Sequence, residues 1–384
     1  MSYSIAISAG EASGDMYGGR LAAELRKLHD GLELWGAGGR SMRNAGVNVE
    51  VDMTGGGTIG ISETLKSLPG VAAKYFKLRG LLLDRRPDLF IPIDFGAFNI
   101  RLAQIARKSG IPVVYYFPPS SWRKRPKNAE KLLACGGKVV TPFPWSGKLL
   151  SEAGVDARFV GHPLVDIVKP TVDKAAFLRE FDLSDSLPTI GMLPGSRSHE
   201  LNEHMPIIIG CARIIHRELG GAQFVIGAGS GANRIREQVA EASKDSGFPV
   251  MRVIEGRTYD CMAHADLLIS KSGTATLEAA ILGTPMVIIY CGSWIMRFEF
   301  LFRKAVLEEY IGLPNIIADR GVCPELINEH ATPEAVSDIA LSLLGNEESL
   351  SEMRASLNDV RRRLGENDAL VRTAKTLLDM GGLT

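Results

Sequence analysis

Short apolar runs alternate with amphipathic stretches over almost the whole chain. In the first half the runs are YSIAIS, LELWGAG, DLFIPID, PVVYYF and KVVTPF, with ARFVG closing the set. In the second half PTIGMLPG, AQFVIGAG, VMRVIEG, ADLLISKSG and TPMVIIYCG repeat the scheme. Each run leads into a loop or a helical segment, and that alternation predicts parallel strands joined by helical crossovers. The chain therefore reads as two doubly wound α/β domains.

Pro163 and Pro170 interrupt the pattern around GHPLVD (161–166), and a new helix begins in VDKAAFLREFDL. The boundary is placed there, giving an N-terminal domain over 1–166 and a C-terminal domain over 167–349. The closing helices, about 333–380, are rich in charge, Leu and Ala. In twin-domain folds such a tail crosses back, so residues about 350–384 are expected to complete the first domain.

Composition adjusts this picture only at the edges. A chain of 384 residues exceeds what one core ordinarily serves, which agrees with two domains of roughly 150–200 residues. Its 44 basic and 44 acidic side chains cancel, so the overall charge gives no reason to expect a nucleic-acid partner. Cys135, Cys211, Cys261, Cys291 and Cys323 are scattered and odd in number, the pattern of free thiols in a reducing compartment. The start, MSYSIAIS, runs directly into a strand without the plan of a signal peptide. The longest apolar stretch, 279–291, contains Gly283, Thr284 and Pro285 and is too short to span a bilayer. A cytoplasmic protein without a transmembrane helix is expected.

Three glycine-containing loops carry candidate chemistry. LPGSRSHEL (193–201) puts a Pro-Gly turn after a strand, then Ser196 and Arg197, then a helix; a guanidinium there can grip phosphate oxygens at two points. SKSGTATLEAA (270–280) sets Ser272, Gly273 and Thr274 between a strand and a helix, where backbone amides and the helix dipole favour an anion. Glu278, one turn on, is placed to accept hydrogen bonds from a ribose diol. Either loop alone is also an ordinary helix cap, but the two together favour a nucleotide site. The opening loop, ISAGEASGD, differs because Glu11 and Asp15 repel phosphate; they suit sugar hydroxyls, or a hydroxyl that must lose its proton. Asp15 serves equally as a cap for a helix starting at Met16. Asp94 ends the run DLFIPID, a position that fits a catalytic base or a cap to the following loop. His162 and His199 stand as possible helpers or as scaffold histidines.

AGEASGDMYGGRLAAEL, IDFGAFNIRLA (93–103), RFVGHPLVD (158–166), LPGSRSHEL, SGTATLEAAILGTPMVIIY (272–290) and LPNIIADR (313–320) stand in the order and spacing of the bacterial lipid-A-disaccharide synthases, which the chain resembles over essentially its whole length. The resemblance implies a GT-B fold, with two Rossmann-like domains facing a central cleft, and an inverting glycosyltransferase without a metal or other cofactor. The implied donor is UDP-2,3-diacylglucosamine and the acceptor 2,3-diacylglucosamine 1-phosphate, joined through a β-1,6 bond with release of UDP. Asp94 matches the family's essential aspartate, Glu11 and Asp15 its opening-loop acids, and Arg197 with Glu200 its phosphate loop; Asn315 matches the LPN asparagine. The family segment I-D-A-P-D-F-N reads IDFGAFN here, with Asn99 kept and Ala97 at the second acid. The family's S-P-S-V-W-A-W-R stretch reads PPSSWRKRPK (118–127), with Ser120 and Trp122 on the implied acceptor side. A UDP-sugar transferase with another acceptor, a UDP-sugar 2-epimerase and a non-catalytic nucleotide-sugar binder are the alternatives.

An acylated substrate requires contact with lipid, and two segments offer it. TLKSLPGVAAKYFKLRGLLLDRR (64–86) mixes Leu, Val, Tyr and Phe with Lys66, Lys74, Lys77, Arg79, Arg85 and Arg86. WIMRFEFLFRKAV (294–306) sets Trp294, Phe298, Phe300 and Phe302 beside Arg297, Arg303 and Lys304. Aromatics among basic residues suit an anionic membrane surface, and the run Arg123, Lys124, Arg125, Lys127 adds charge. The same stripes fit packing between helices or a homodimer contact.

Overall fold

A computed structural model describes residues 3–53, 61–119, 121, 129–229, 231–292 and 310–383, of which 61–68 by backbone alone. Ser120, Trp122, the basic run at 123–127 and the aromatic segment 294–306 lie outside the described residues, as does the Lys66 side chain. The chain divides into two units, Met1–Asp166 with Leu364–Thr384, and Ile167–Arg363.

In the first unit β1 (Ser4–Ala9), β2 (Glu33–Gly38), β3 (Asn48–Asp52), β4 (Leu89–Ile93), β5 (Tyr115–Tyr116), β6 (Lys138–Thr141) and β7 (Asp156–Phe159) form a parallel sheet in the order β3-β2-β1-β4-β5-β6-β7. The inner strands are apolar on both faces because helices cover both, and every residue of β4 is buried. Pro92 sits inside β4 with no N–H to give. The pairing to the next strand lapses there, between the Phe90–Val113 bridge and the Ile93–Tyr116 pair. Trp35, Phe90, Leu102, Tyr115 and Val139 lie at the centre of the core.

The second unit contains β8 (Thr189–Leu193), β9 (Gln223–Ala228), β10 (Met251–Glu255), β11 (Leu267–Lys271), β12 (Met286–Tyr290) and β13 (Glu325–Ile327), ordered β10-β9-β8-β11-β12-β13 and again parallel. Met192, Ile208, Phe224, Ile269 and Val287 form its core. In both sheets the order reverses beside the first strand of the unit, between β1 and β4 and between β8 and β11. Helices leave the two strands at such a point in opposite directions and open a crevice at their carboxyl ends. The opening loop and Asp94 therefore share one crevice, and LPGSR and SKSGT share the other.

The return of the chain differs from the expectation. Helix Glu347–Arg363 buries Leu350, Met353, Leu357 and Val360, and it packs on helices Thr274–Leu282, Leu313–Ala318 and Pro333–Leu344 of the second unit. The first unit regains the chain at Leu364, not near 350. Helix Ala369–Gly381 then packs on helix Ala12–Leu28. Asp166 caps it, accepting from the N–H of Asp368 at 2.7 Å and of Leu370 at 2.9 Å. At the far end Arg158 pairs with Asp379 at 2.6 Å, and Lys138 donates to the Met380 carbonyl at 2.6 Å.

Asp166→Ala removes both bonds at the start of that helix. The expected loss is about 1–2 kcal/mol, the scale of a helix cap. Hydrogen exchange should localise it: amides of helix Ala369–Gly381 lose protection while those of β8 and β11 do not. Unchanged protection in that helix would refute the cap.

Candidate functional site

The first crevice is built around a strained turn. Asp94, Phe95 and Gly96 follow β4 with φ of +42°, +54° and +28°, and left-handed conformations at two non-glycine residues cost about 1–3 kcal/mol each. Hydrogen bonds from three sides hold the turn. The Asp94 N–H lies 3.2 Å from the carbonyls of both Tyr116 and Phe117. The Asp94 carbonyl accepts from the Tyr115 hydroxyl at 2.6 Å and from Asn99 Nδ2 at 3.1 Å. Burial pushes the Tyr115 hydroxyl well above its ordinary pKa, so it stays a donor. Phe95 lies so close against Gly10 that a Cβ there would fall 2.1 Å from its ring, and only glycine fits.

This turn presents Asp94 on the same side as Glu11, the exposed residue before helix Ala12–Leu28. Surrounding protein atoms, and then the Glu11 carboxylate, raise Asp94 to about 6, against a lowering hydrogen bond from the Phe95 N–H. The Asp94 side chain keeps an exposed surface, so water moderates the shift without reversing it. A carboxylate raised into this range can accept a proton near neutral pH.

Two acceptor-side candidates have other work. Asp15 is 4% exposed, and its oxygens accept the N–H groups of Gly39 (2.6 Å), Ser41 (2.8 Å) and Met42 (3.2 Å). It caps helix Arg40–Asn44 rather than a helix starting at Met16; its own helix begins at Ala12. Asn99 is wholly buried. Its amide donates to the carbonyls of Ser8 and Ile93 at 3.0 Å as well as to Asp94, and its oxygen accepts the Ser8 hydroxyl at 2.7 Å. It joins the ends of β1 and β4 and positions Asp94.

His162 is 2% exposed among Tyr17, Phe117 and Phe143, and its Nδ1 accepts the Leu164 N–H at 3.2 Å. Burial lowers its pKa to about 3, so the ring is a neutral scaffold. His199 stands exposed on the first turn of helix Ser198–Glu218.

The second crevice carries the LPGSR and SKSGT loops on the adjacent strands β8 and β11. Gly195 takes φ +102°, and a Cβ there would stand 2.5 Å from Glu200 Oε2. That oxygen accepts the N–H groups of Ser196 at 3.1 Å and Arg197 at 3.2 Å, while Oε1 accepts Lys271 Nζ at 2.9 Å. Burial pushes the Glu200 carboxyl up, but the Lys271 bond and charge and the two amides outweigh it and hold the group below its ordinary value. Glu200 therefore shapes the loop instead of offering a free carboxylate to a ligand. The Arg197 guanidinium is 40% exposed, with Nη1 3.9 Å from Glu200 Oε1. His204, one turn on, contacts the Glu200 carbonyl through Nδ1 at 2.7 Å and accepts the Cys291 N–H through Nε2 at 3.1 Å.

In the SKSGT loop, Ser272 is committed to the scaffold: its N–H bonds the Ile289 carbonyl and its hydroxyl the Ile311 carbonyl, each at 2.9 Å. Gly273 and the exposed Thr274 open helix Thr274–Leu282, whose first amides have no partner within the helix. Glu278 accepts from the Tyr259 hydroxyl at 3.1 Å, and burial raises its pKa. Glu278 and Tyr259 line a cavity of about 520 Å³ with Gly229, Glu255, Arg257 and Thr258. Asn315 is bonded within the scaffold of its own unit. It is 1% exposed, donates to the Cys323 carbonyl and Glu325 Oε1, and accepts the N–H groups of Val322 and Cys323, all within 2.8 Å.

Sequence reasoning passed over Lys271, His204, Tyr115 and Tyr259. Lys271 stood inside a motif already singled out, but its pairing with Glu200 depends on β8 and β11 being neighbours. Among the described residues, no three His, Cys, Asp or Glu side chains converge as a metal site.

A family model described as lipid-A-disaccharide synthetase matches residues 5–377. The lipid-A-disaccharide synthase of Syntrophus aciditrophicus is 35% identical over 379 residues, covering 98% of this chain and 97% of that protein. The one from Trichlorobacter lovleyi is 36% identical over 376 residues, covering 98% and 97%. Among solved structures, the UDP-GlcNAc 2-epimerase from Neisseria meningitidis bound to UDP-GlcNAc superposes with a TM-score of 0.65 at 15% identity, covering 99% of this chain and 100% of that one. That last likeness is one of fold.

Asp15→Ala strips three backbone donors of their acceptor. The expected destabilisation is about 2–3 kcal/mol, since a buried hydrogen bond to a charged group contributes about 1.5–3 kcal/mol. The folded fraction should keep turnover within a few-fold of wild type. Thermal unfolding with activity measured well below the midpoint separates the two effects; a stable variant with lost turnover would return Asp15 to the site.

Proposed function

The chain belongs to the lipid-A-disaccharide synthetase family, and on that premise we propose how its residues divide the work of a glycosyl transfer. It is a glycosyltransferase that uses a UDP-sugar donor and a sugar-phosphate acceptor. The epimerase alternative is left with a shared fold at 15% identity.

The donor is UDP-2,3-diacylglucosamine, held by the second unit. Arg197 and the amides of Gly273 and Thr274 take the diphosphate, where a half-exposed guanidinium and a helix N-terminus both favour anions. Glu278 faces the ribose hydroxyls, and the cavity beside Tyr259 takes the uracil ring. The acceptor is 2,3-diacylglucosamine 1-phosphate. Asp94, with Glu11 beside it, removes the proton from its 6-hydroxyl. That oxygen bonds to C1 of the donor sugar, the C1–O bond to the diphosphate breaks, and its electron pair leaves with UDP. The configuration at C1 inverts. The observation that carries this reading is Asp94 itself: a carboxylate raised to about 6 on a strained strand end beside Glu11, at the point where the sheet order reverses.

The protein acts at the inner face of the cytoplasmic membrane as a peripheral enzyme. No helix among the described residues is long and apolar enough to cross a membrane. Helix Ile61–Arg85 instead exposes Phe76, 63% accessible, beside the exposed Lys77 and Arg79. From Phe76 ring contacts run through Tyr75 and Phe98 to Phe95, next to Asp94. An acyl chain entering from a bilayer along these rings would bring its sugar to the base.

Asp94→Asn should lower single-turnover transfer at saturating donor by about a hundredfold or more, the scale of a lost general base. In the wild type the rate should fall as pH drops through about 6, where the base becomes protonated, and the residual rate of the variant should lack that limb. A variant within a few-fold of wild type would place the base elsewhere, with Glu11 next.

Phe76→Ser should reduce co-sedimentation with anionic liposomes and leave UDP affinity unchanged, because the side chain is surface-exposed on the first unit. Equal sedimentation of folded variant and wild type would remove this helix from the membrane contact.

A further inference from the structure

Lys271 ends β11 with its side chain 20% exposed and its Nζ 2.9 Å from Glu200 Oε1. The same Nζ lies 3.6 Å from the place a Cβ on Gly273 would take, so the ammonium stands over the backbone that opens helix Thr274–Leu282. It is thus at the seam between the LPGSR and SKSGT loops, against the elements assigned to the diphosphate.

The bonding of Glu200 frees this cation for a second task. Oε2 alone accepts the amides of Ser196 and Arg197, so the loop keeps its shape whether or not Oε1 keeps Lys271. An ammonium has three N–H donors, and Glu200 occupies one of them. Charge points the same way. Arg197 and Glu200 cancel, and Lys271 supplies the one net positive charge of the trio. Without it, an incoming diphosphate would meet a neutral pair that includes a buried carboxylate.

We propose that Lys271 is a diphosphate-binding residue, which shares its ammonium between Glu200 and a phosphate oxygen and holds the negative charge left on UDP as the C1–O bond breaks. No proton is transferred; the ammonium donates hydrogen bonds throughout. Glu200 acts as the counter-ion that parks the lysine at the seam when the site is empty. The inference rests on the donor reading of the same loops and adds to it a cation that no motif assigned.

Calorimetric titration of the full-length protein with uridine, UMP and UDP tests it. Lys271→Met keeps the stem and removes the charge; UDP affinity should fall about 10- to 100-fold, the scale of one charge-assisted hydrogen bond. Uridine affinity should stay within about twofold. Lys271→Arg should recover most of the UDP affinity, and kcat should fall more than KM rises in Lys271→Met because the charge on the leaving group is greatest at the transition state. If Lys271→Met fails to fold, Lys271→Gln, which retains an N–H donor for Glu200, carries the same comparison. UDP binding unchanged in the neutral variant overturns the proposal, and so does an equal loss for uridine and UDP, the mark of a purely structural lysine. A wild type that binds no UDP would instead overturn the donor reading itself.

Discussion

One buried amide sets the geometry of the first crevice. Asn99 spends its side chain on the Ser8, Ile93 and Asp94 carbonyls and the Ser8 hydroxyl, and so clamps the carboxyl ends of β1 and β4. Parallel strands whose helices depart in opposite directions expose backbone groups at the fork, and unpaired buried carbonyls are costly. The two hydrogens of Asn99 Nδ2 are shared among the three, with the Tyr115 hydroxyl as a second donor to the Asp94 carbonyl. Asn99 also makes the left-handed turn at Asp94 and Phe95 the arrangement in which those carbonyls are bonded, which is how the strain is carried.

The second unit solves the same problem with charge. At the fork of β8 and β11 a carboxylate takes the place of the amide: Glu200 gathers two loop amides with one oxygen and a cation with the other. A neutral clamp suits the fork that must raise a carboxylate pKa, because a nearby cation would lower it. An ionic clamp suits the fork assigned to an anion. The difference in polarity between the two forks follows from Asn99 on one side and Glu200 with Lys271 on the other.

The repeating strand–helix scheme and the phosphate loops were legible because glycine, proline and apolar runs are local signals. β3 and β13 were not, since NVEVD is polar and ELI is three residues long, and both lie at sheet edges where little burial is required. Among polar candidates the limit was of another kind. Asp15, Asn99, Glu200 and Asn315 have the chemistry of ligands, and each is largely consumed by backbone or side-chain groups that come near only after folding. The helix Glu347–Arg363 shows the same limit for packing: its pattern gives an apolar stripe but not the core that receives it.

The return of the chain at Leu364 has a consequence for synthesis. A ribosome releases the protein from the amino end, and domains ordinarily fold as they emerge. Here the strands of the first unit appear early, yet the helix that covers helix Ala12–Leu28 and bonds to Asp166 is made only after the whole of the second unit. The second unit, whose segments lie between residues 167 and 363, is complete before the first can close. The nascent unit that carries Asp94 therefore waits with the apolar face of helix Ala12–Leu28 uncovered until residues 369–381 have been made.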